Sequence, residues 1–209
     1  MRQVVGAPPS PSEGAAPRIL LDRADIQVLF RQMADSILTL TWPRDKLRSS
    51  DRATATAPEP PALWLVGIHR GGVQVAKELA DAIALSEGWR PLLGGLDITL
   101  YRDDAWLRGP QAVETDTQLP GDPTGQRIVL VDDVLFTGRT TRAALSVLLD
   151  FGRPEAVRLA VLLDRDGHEL PIAPDVVGQV IEIDPRDSLE LRYDSIGRVA
   201  SVVIERKPK

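Results

Sequence analysis

Apolar positions along the chain fall into short unbroken runs and longer stretches of three-to-four-residue spacing, and the two kinds alternate. Leu63-Trp-Leu-Val-Gly-Ile68, Ile128-Val-Leu-Val131 and residues 158–163 are of the first kind. Runs this short, with many β-branched residues, predict strands buried on both faces. In 22–40, Ile26, Leu29, Phe30, Met33, Ile37 and Leu40 share one helical face, with Asp22 placed as its N-cap. Val73, Ala76, Leu79, Ala80 and Ile83 predict a second helix stopped by Gly88. Ala143, Ala144, Val147 and Leu148 predict a third, stopped at Gly152 as C′ with Pro154 beyond. Gly94 to Tyr101 predicts a strand in which Leu96, Ile98 and Leu100 alternate with Asp97 and Thr99, and 176–183 and 199–205 predict two more. Strands alternating with helices imply an α/β fold: a central, mostly parallel sheet flanked by helices, with ligands at the strands' carboxyl ends.

Composition narrows the class. The 209 residues, 43% of them hydrophobic, suit one domain over 18–209 behind a Pro-, Gly- and Ala-rich tail, 1–17, expected to be disordered. Residues 42–61, with Pro43, Pro58, Pro60 and Pro61, predict a loop. With no cysteine and two histidines, disulfides and the usual structural zinc sites are excluded. No stretch nears the roughly 20 apolar residues that span a bilayer, and no charged-then-apolar leader opens the chain. A cytoplasmic protein with no membrane association is the expectation. A net charge of −5 argues against nucleic-acid binding by bulk charge.

The candidate chemistry sits at strand ends. The 128–131 run leads into Asp132 and Asp133, then into Thr137-Gly138-Arg139-Thr140-Thr141 and the third helix. A Thr- and Gly-rich turn at a helix N-terminus offers backbone N–H groups, hydroxyls and the positive end of the helix dipole to a phosphate. Carboxylates repel phosphate but accept hydrogen bonds from vicinal hydroxyls, so the pair and the turn together suit a ribose 5-phosphate. The plainer reading is an ordinary strand–helix unit whose Asp residues cap the helix. The turn lacks the Gly-x-x-x-x-Gly-Lys of a Walker loop. A second such unit runs from Ile68 through His69-Arg70-Gly71-Gly72 into the second helix, where the glycines permit close approach of a ligand. For His69 a strand-end hydrogen bond is the alternative role. After the 94–101 strand, Arg102-Asp103-Asp104 opens a long polar segment with Gly109-Pro110 and Pro120-Gly-Asp-Pro123. A loop of that length is commonly a lid, expected over 102–120.

Val129-Leu-Val-Asp-Asp-Val-Leu-Phe-Thr-Gly-Arg-Thr140 resembles the phosphoribosyl-pyrophosphate (PRPP) motif of type I phosphoribosyltransferases. Together with Gly152-Arg-Pro154, Leu159-Ala-Val-Leu-Leu-Asp-Arg165, Asp97 to Asp104 and Glu169-Leu-Pro-Ile172, it is similar to the pyrimidine operon regulator/uracil phosphoribosyltransferase family over roughly 20–205. The resemblance implies the type I phosphoribosyltransferase fold, with a hood over the base near 176–183 and 199–205. It implies transfer of ribose 5-phosphate from PRPP to N1 of uracil, giving UMP and pyrophosphate, with Mg²⁺ held mainly through PRPP and water and Asp132 and Asp133 as its protein candidates. In that frame Asp132 and Asp133 take the ribose hydroxyls, and the turn Thr137, Gly138, Arg139, Thr140 and Thr141 takes the 5-phosphate. Arg102 joins the pyrophosphate loop His69, Arg70, Gly71 and Gly72. Val134, Leu135, Phe136, Arg165 and Val177 complete the substrate-binding set, Val177 near the uracil. The chain departs from the family at the pyrophosphate loop, where Arg70 stands one place early and Gly71 holds the usual Arg position.

The resemblance also brings alternatives: an RNA-binding attenuator of pyrimidine genes, or a non-catalytic PRPP or nucleotide sensor. A homo-oligomer is expected. RNA binding is expected to be weak. Asp166 and His168 stand where RNA-binding members carry Gly and Arg, Gln179-Val180 replaces Lys-Asn, and Phe30 and Ala34 occupy positions that are Thr and His in the family. Each phosphate left without a cationic partner lowers the salt slope of binding by about one unit.

Overall fold

The computed structural model describes residues 4–6, 16–41, 62–99 and 116–206. In chain order the elements are β1 (Val4–Gly6), β2 (Arg18–Leu21), α1 (Arg23–Thr41), β3 (Leu63–Ile68), α2 (Gly71–Glu87), β4 (Leu92–Leu96) and β5 (Arg127–Leu135). Then come α3 (Arg139–Phe151), β6 (Ala156–Arg165), β7 (Val176–Glu182), β8 (Asp187–Tyr193) and β9 (Val199–Arg206).

The helix ends follow local chemistry. Asp22 Oδ1 accepts the N–H groups of Ala24 and Asp25 at 2.8 and 3.0 Å, and Asp25 Oδ2 accepts the N–H of Asp22 at 3.1 Å, a reciprocal cap that starts α1. At the end of α2, Gly88 takes a left-handed φ of 75° and its N–H donates to the Ala84 carbonyl at 3.1 Å. Gly152 ends α3 differently from the expected left-handed cap. Its backbone is extended (φ 163°), and glycine is required because a Cβ would lie 2.6 Å from Thr124 Oγ1.

Six strands form one sheet in the order β1-β7-β6-β5-β3-β4, every neighbouring pair parallel. All six residues of β3 are buried, as the unbroken apolar run requires. Alternate residues feed two cores. Leu63, Leu65, Val129 and Val131 pack with α1 and α2, while Trp64, Val66, Ile128 and Leu130 pack with Ala143, Ala144, Val147 and Leu148 of α3. The α/β class and parallel sheet thus match the sequence reading.

A second, antiparallel sheet, β2-β9-β8, forms the hood. This corrects the sequence reading in three ways. The 176–183 stretch is β7, a strand of the main sheet, while the hood uses β2, only four residues long, and β8, whose mixed polar sequence gave no strand signal. The segment 1–17, expected to be disordered, contains β1, which takes parallel register on β7 with Val4 opposite Val180. The strand expected over 94–101 is β4, at 92–96.

The hood is pinned to the main body by one cluster. Arg23 makes a two-pronged pair with Glu78 at 2.7 and 2.9 Å and donates to the Val199 carbonyl at 2.6 Å. Glu78 Oε1 also accepts the Val199 N–H at 2.9 Å. Three elements, α1, α2 and β9, therefore meet on one carboxylate whose side chain is 10% exposed. Removing it strands a guanidinium and an N–H together. Glu78→Ala is expected to lower the unfolding free energy by about 2–3 kcal/mol, read as a lowered urea midpoint at unchanged slope. A midpoint equal to wild type would show that the cluster is not structural.

Candidate active site

The centre of the site is the carboxyl end of β5. The strand does not stop before the acidic pair, as its apolar run suggests. It continues to Leu135 because β6 pairs alongside it, with Asp132 opposite Val161 and Leu135 opposite Asp164. Asp132 is consequently buried, and Asp133 half-buried. Burial, reinforced by the neighbouring charge of Asp133, pushes the Asp132 carboxyl well above the usual carboxylate range. Asp132 Oδ1 accepts the N–H of Asp133 at 3.0 Å, and Asp133 Oδ1 that of Val134 at 2.9 Å.

The turn that follows starts α3 without a side-chain cap. Gly138, at φ 86°, is the N-cap and has no side chain to cap with. The Arg139 N–H makes only a long 3.4 Å bond to Thr137 Oγ1, and the N–H groups of Thr140 and Thr141 behind it open the helix as the phosphate reading requires. Thr141 Oγ1 is buried with no protein partner. A second segment backs the turn. The Thr137 carbonyl accepts the N–H groups of Glu169 and Leu170 at 3.1 and 3.2 Å, and Arg139 pairs with Glu169 at 2.7 Å. A Cβ on Gly138 would lie 3.3 Å from that of Leu170. The role of 166–172 as the seat of the turn carries no periodicity signal, and the sequence reading missed it.

The second glycine turn lies against the first unit. A Cβ at Gly72 would sit 2.2 Å from the Val131 carbonyl oxygen, and one at Gly71 would sit 2.0 Å from Asp133 Oδ2. At Gly72 the obstacle is backbone, so the turn after β3 can reach the end of β5 only because residue 72 lacks a side chain. At 71, where the family carries Arg, the obstacle is the half-buried Asp133 side chain, which a larger residue would have to displace. The His69–Arg70 peptide is cis. The His69 N–H donates to the Leu96 carbonyl at 2.9 Å, so the strand-end bond weighed for His69 is present in its backbone. His69, Arg70, Gln74, Lys77, Gly95 and Asp116 line a cavity of about 440 Å³ on the β4 side of the turn.

Arg102 lies outside the described residues, as do residues 102–115 of the expected lid. The rest of that segment is seated on the sheet edge. Gly95 and Gln118 exchange backbone hydrogen bonds at 2.7 and 2.8 Å. Asp97 ties the two stems: it accepts the N–H and hydroxyl of Thr99 at 2.9 and 2.5 Å and the N–H of Asp116 at 3.4 Å. Burial opposes ionisation of Asp97, but the bonds from Thr99 and Asp116 outweigh it and hold the carboxyl below its ordinary value.

Of the remaining expected residues, Leu135 is buried and Val134 and Val177 are half-buried. Phe136 is exposed, with its ring 4.3 Å from the Arg165 guanidinium. Arg165 is 7% exposed and spends its donors on main-chain carbonyls, Asp187 at 2.8 Å, Pro185 at 3.3 Å and Asp184 at 3.4 Å. Burial lowers its pKa despite the charge of Asp187. Its geometry is that of a brace between β6 and the 184–187 connection, with Phe136 lying over it.

Fold and site together define a phosphoribosyltransferase: the profile of the phosphoribosyl transferase domain family matches residues 57–193. The bifunctional protein PyrR of Chloroflexus aurantiacus is 51% identical over 142 residues, covering 68% of this chain and 78% of that protein. PyrR of Halalkalibacterium halodurans is 42% identical over 145 residues, covering 68% and 81%. The chain belongs to the PyrR family of phosphoribosyltransferases. Among solved structures, the hypoxanthine phosphoribosyltransferase of Trypanosoma cruzi superposes with a TM-score of 0.63 at 18% identity, covering 92% of this chain and 98% of that one. That of Staphylococcus aureus gives 0.62 at 18% identity, covering 91% and 93%. At such identities these structures speak for the fold alone.

The raised Asp132 pKa has a consequence for stability. A carboxyl whose folded-state pKa lies above its unfolded value binds more protons folded than unfolded, so stability is lost as pH rises from the ordinary value of 3.8 through the raised one. Asn cannot ionise and escapes this loss. Asp132→Asn is expected to be at least as stable as wild type at pH 7–8, while kcat/KM falls by about 100-fold or more. Thermal melts across pH 4–8 read the first effect; a variant less stable than wild type at pH 8 would contradict it.

Proposed function

We propose that this chain is a Mg²⁺-dependent uracil phosphoribosyltransferase that joins uracil N1 to C1 of the ribose 5-phosphate of PRPP and releases pyrophosphate. The observation that carries this reading is the junction of the uncapped Thr137–Thr141 turn with the acidic pair on one strand end, with the Gly71-Gly72 turn packed beside it. The Gly138-led turn holds the 5-phosphate through backbone N–H groups, and the Thr137 and Thr140 hydroxyls add donors there. Asp133 accepts hydrogen bonds from the ribose hydroxyls. Asp132 orients the Asp133 backbone from behind. Arg70 and Lys77, on the cavity beside the second turn, balance the charge of the leaving pyrophosphate. The Arg102 contact to PRPP phosphates belongs to the same reading.

The acidic pair fits Mg²⁺ as a hard, oxygen-only donor set. Among the described residues no cluster of three or more His, Cys, Asp or Glu is placed to hold a metal, so PRPP and water would supply the other ligands. When bound there, Mg²⁺ offsets the negative charge growing on pyrophosphate. The protein's own share is positioning and electrostatic stabilisation, which suits a transition state with oxocarbenium character and little covalent chemistry.

The reading is tested by assaying UMP formation from uracil and PRPP beside orotate, hypoxanthine and guanine. Uracil alone is expected to turn over, EDTA to abolish the reaction, and Asp133→Asn to lower kcat/KM by about 100-fold. Turnover of a purine base but not uracil would overturn the assignment.

RNA binding is proposed to be weak. Burial of Phe30 and Ala34, 3% and 2% exposed, removes both from any surface comparison. What supports the reading is the 164–169 segment. His168 is held on Asp164 at 2.7 Å, Arg139 is paired with Glu169, and Asp166 is exposed. Filter binding with the leader RNA of its own pyrimidine genes is expected to give little retention at physiological salt. Tight, UMP-enhanced binding would contradict this.

A further inference from the structure

A second cavity lies apart from both glycine turns. It encloses about 690 Å³ between α1, α2 and the hairpin that joins β8 to β9. None of its lining residues belongs to the acidic pair, the phosphate turn or the His69–Gly72 turn. A concave space of this size falls in the range of about 300–1,000 Å³ that takes small molecules. Its charge sets it apart. Two carboxylates line it, and both are already matched, Glu78 by Arg23 at 2.7 and 2.9 Å and Asp81 by Arg90. Arg31 of α1 and Arg198 of the hairpin line it too, and among the described residues neither guanidinium has an ion-pair or hydrogen-bond partner. A chain of net charge −5 thus carries two unmatched positive charges on one cavity.

Both cations stand on backbone that is held in place. Arg31 lies in mid-α1. Arg198 donates its N–H to Asp194 Oδ1 at 2.8 Å, and its carbonyl accepts the Asp194 N–H at 2.9 Å. The next residue, Val199, is fixed on both sides, its N–H on Glu78 and its carbonyl on Arg23. One guanidinium therefore comes from the main body and the other from the hood. The wall beside them is apolar. It is formed by Phe30, Ala82 and Leu85, and Leu85 is 89% exposed. Water at that wall is released when a ring or an aliphatic group covers it.

We propose that this cavity is a second ligand site, for a phosphate monoester that carries a ring, of mononucleotide size. Arg31 and Arg198 hold the phosphate between them, since guanidinium forks match phosphate oxygens. The ring lies on Phe30, Ala82 and Leu85. A neutral ligand leaves the two cations unmet, and a bare phosphate leaves the apolar wall wet, so both features are used only by a molecule that has both parts. Bound there, the ligand joins α1 to the hood, the same two parts that the Arg23–Glu78–Val199 cluster joins. It therefore stabilises the folded chain.

Calorimetric titration of AMP and CMP into the full chain tests it, with PRPP and Mg²⁺ at saturation to fill the site described above. Inorganic phosphate and adenosine serve as partial ligands. At least one of the two nucleotides is expected to bind once per chain and to raise the melting temperature, with phosphate and adenosine each weaker by about ten-fold or more. Arg31→Gln and Arg198→Gln are each expected to weaken nucleotide binding about ten-fold, as for a lost hydrogen bond to a charged group. PRPP affinity, and the urea midpoint without nucleotide, stay as in wild type. Absence of AMP and CMP binding, or binding unchanged in both Gln variants, overturns the proposal. So does an RNA oligonucleotide whose binding both substitutions abolish while the mononucleotides do not bind. The Gln variants assign the site, so a wild-type chain that binds no PRPP overturns the uracil phosphoribosyltransferase reading and not this one.

Discussion

The site depends on one close approach. The turn after β3 lies directly on the carboxyl end of β5, and at position 72 no side chain larger than hydrogen fits between them. At Gly72 the obstacle is the Val131 backbone oxygen, which cannot move without breaking the central strand's pairing, and at Gly71 it is the Asp133 carboxylate. Parallel pairing of β3 with β5 sets the two strand ends level, and the missing side chain at 72 lets the turns close up. That contact adds to the burial of Asp132 that β6 pairing already imposes, and it sets the second turn beside the acidic pair.

Electrostatics and packing pull in opposite directions here. Two carboxylates at a strand end, one nearly without solvent, cost stability, and the fold offsets this with cores on both sheet faces and with the Arg23–Glu78–Val199 cluster that pins the hood. The stability cost is the usual mark of a site built for a ligand. The hood is similarly held by charge: buried Arg165 braces the 184–187 connection through main-chain carbonyls, and Arg206 Nε lies 2.6 Å from Asp187 Oδ1, off-line for a hydrogen bond.

What was legible in the sequence was whatever repeats locally. The runs of β3, β5 and β6, the two glycine turns and most of the amphipathic faces of α1 to α3 fall where periodicity and turn chemistry place them, although Leu40 is exposed and Val75 rather than Val73 is buried on α2. The strand β8 escaped because a hood strand with one exposed face mixes Arg, Glu and Asp among its apolar positions, and β2 because four residues, Arg-Ile-Leu-Leu, are too short to show a period. The extension of β5 through Asp132 and Asp133 was illegible for a related reason: β6 pairing, not propensity, keeps two acids in a strand. Contacts made across the fold, such as Asp97 on both Thr99 and Asp116 or the 166–172 seat under the phosphate turn, carry no one-dimensional pattern at all.

The central claim is that the two turns and the acidic pair form one site because residue 72 has no side chain. Calorimetric titration of PRPP with Mg²⁺ into wild type and Gly72→Ala tests it most directly, with near-ultraviolet circular dichroism confirming that the variant keeps its tertiary packing. The account predicts one PRPP bound per wild-type chain and affinity weakened by at least about 100-fold when a methyl group forces the turn off the Val131 carbonyl. A folded Gly72→Ala chain that binds PRPP as tightly as wild type would contradict it.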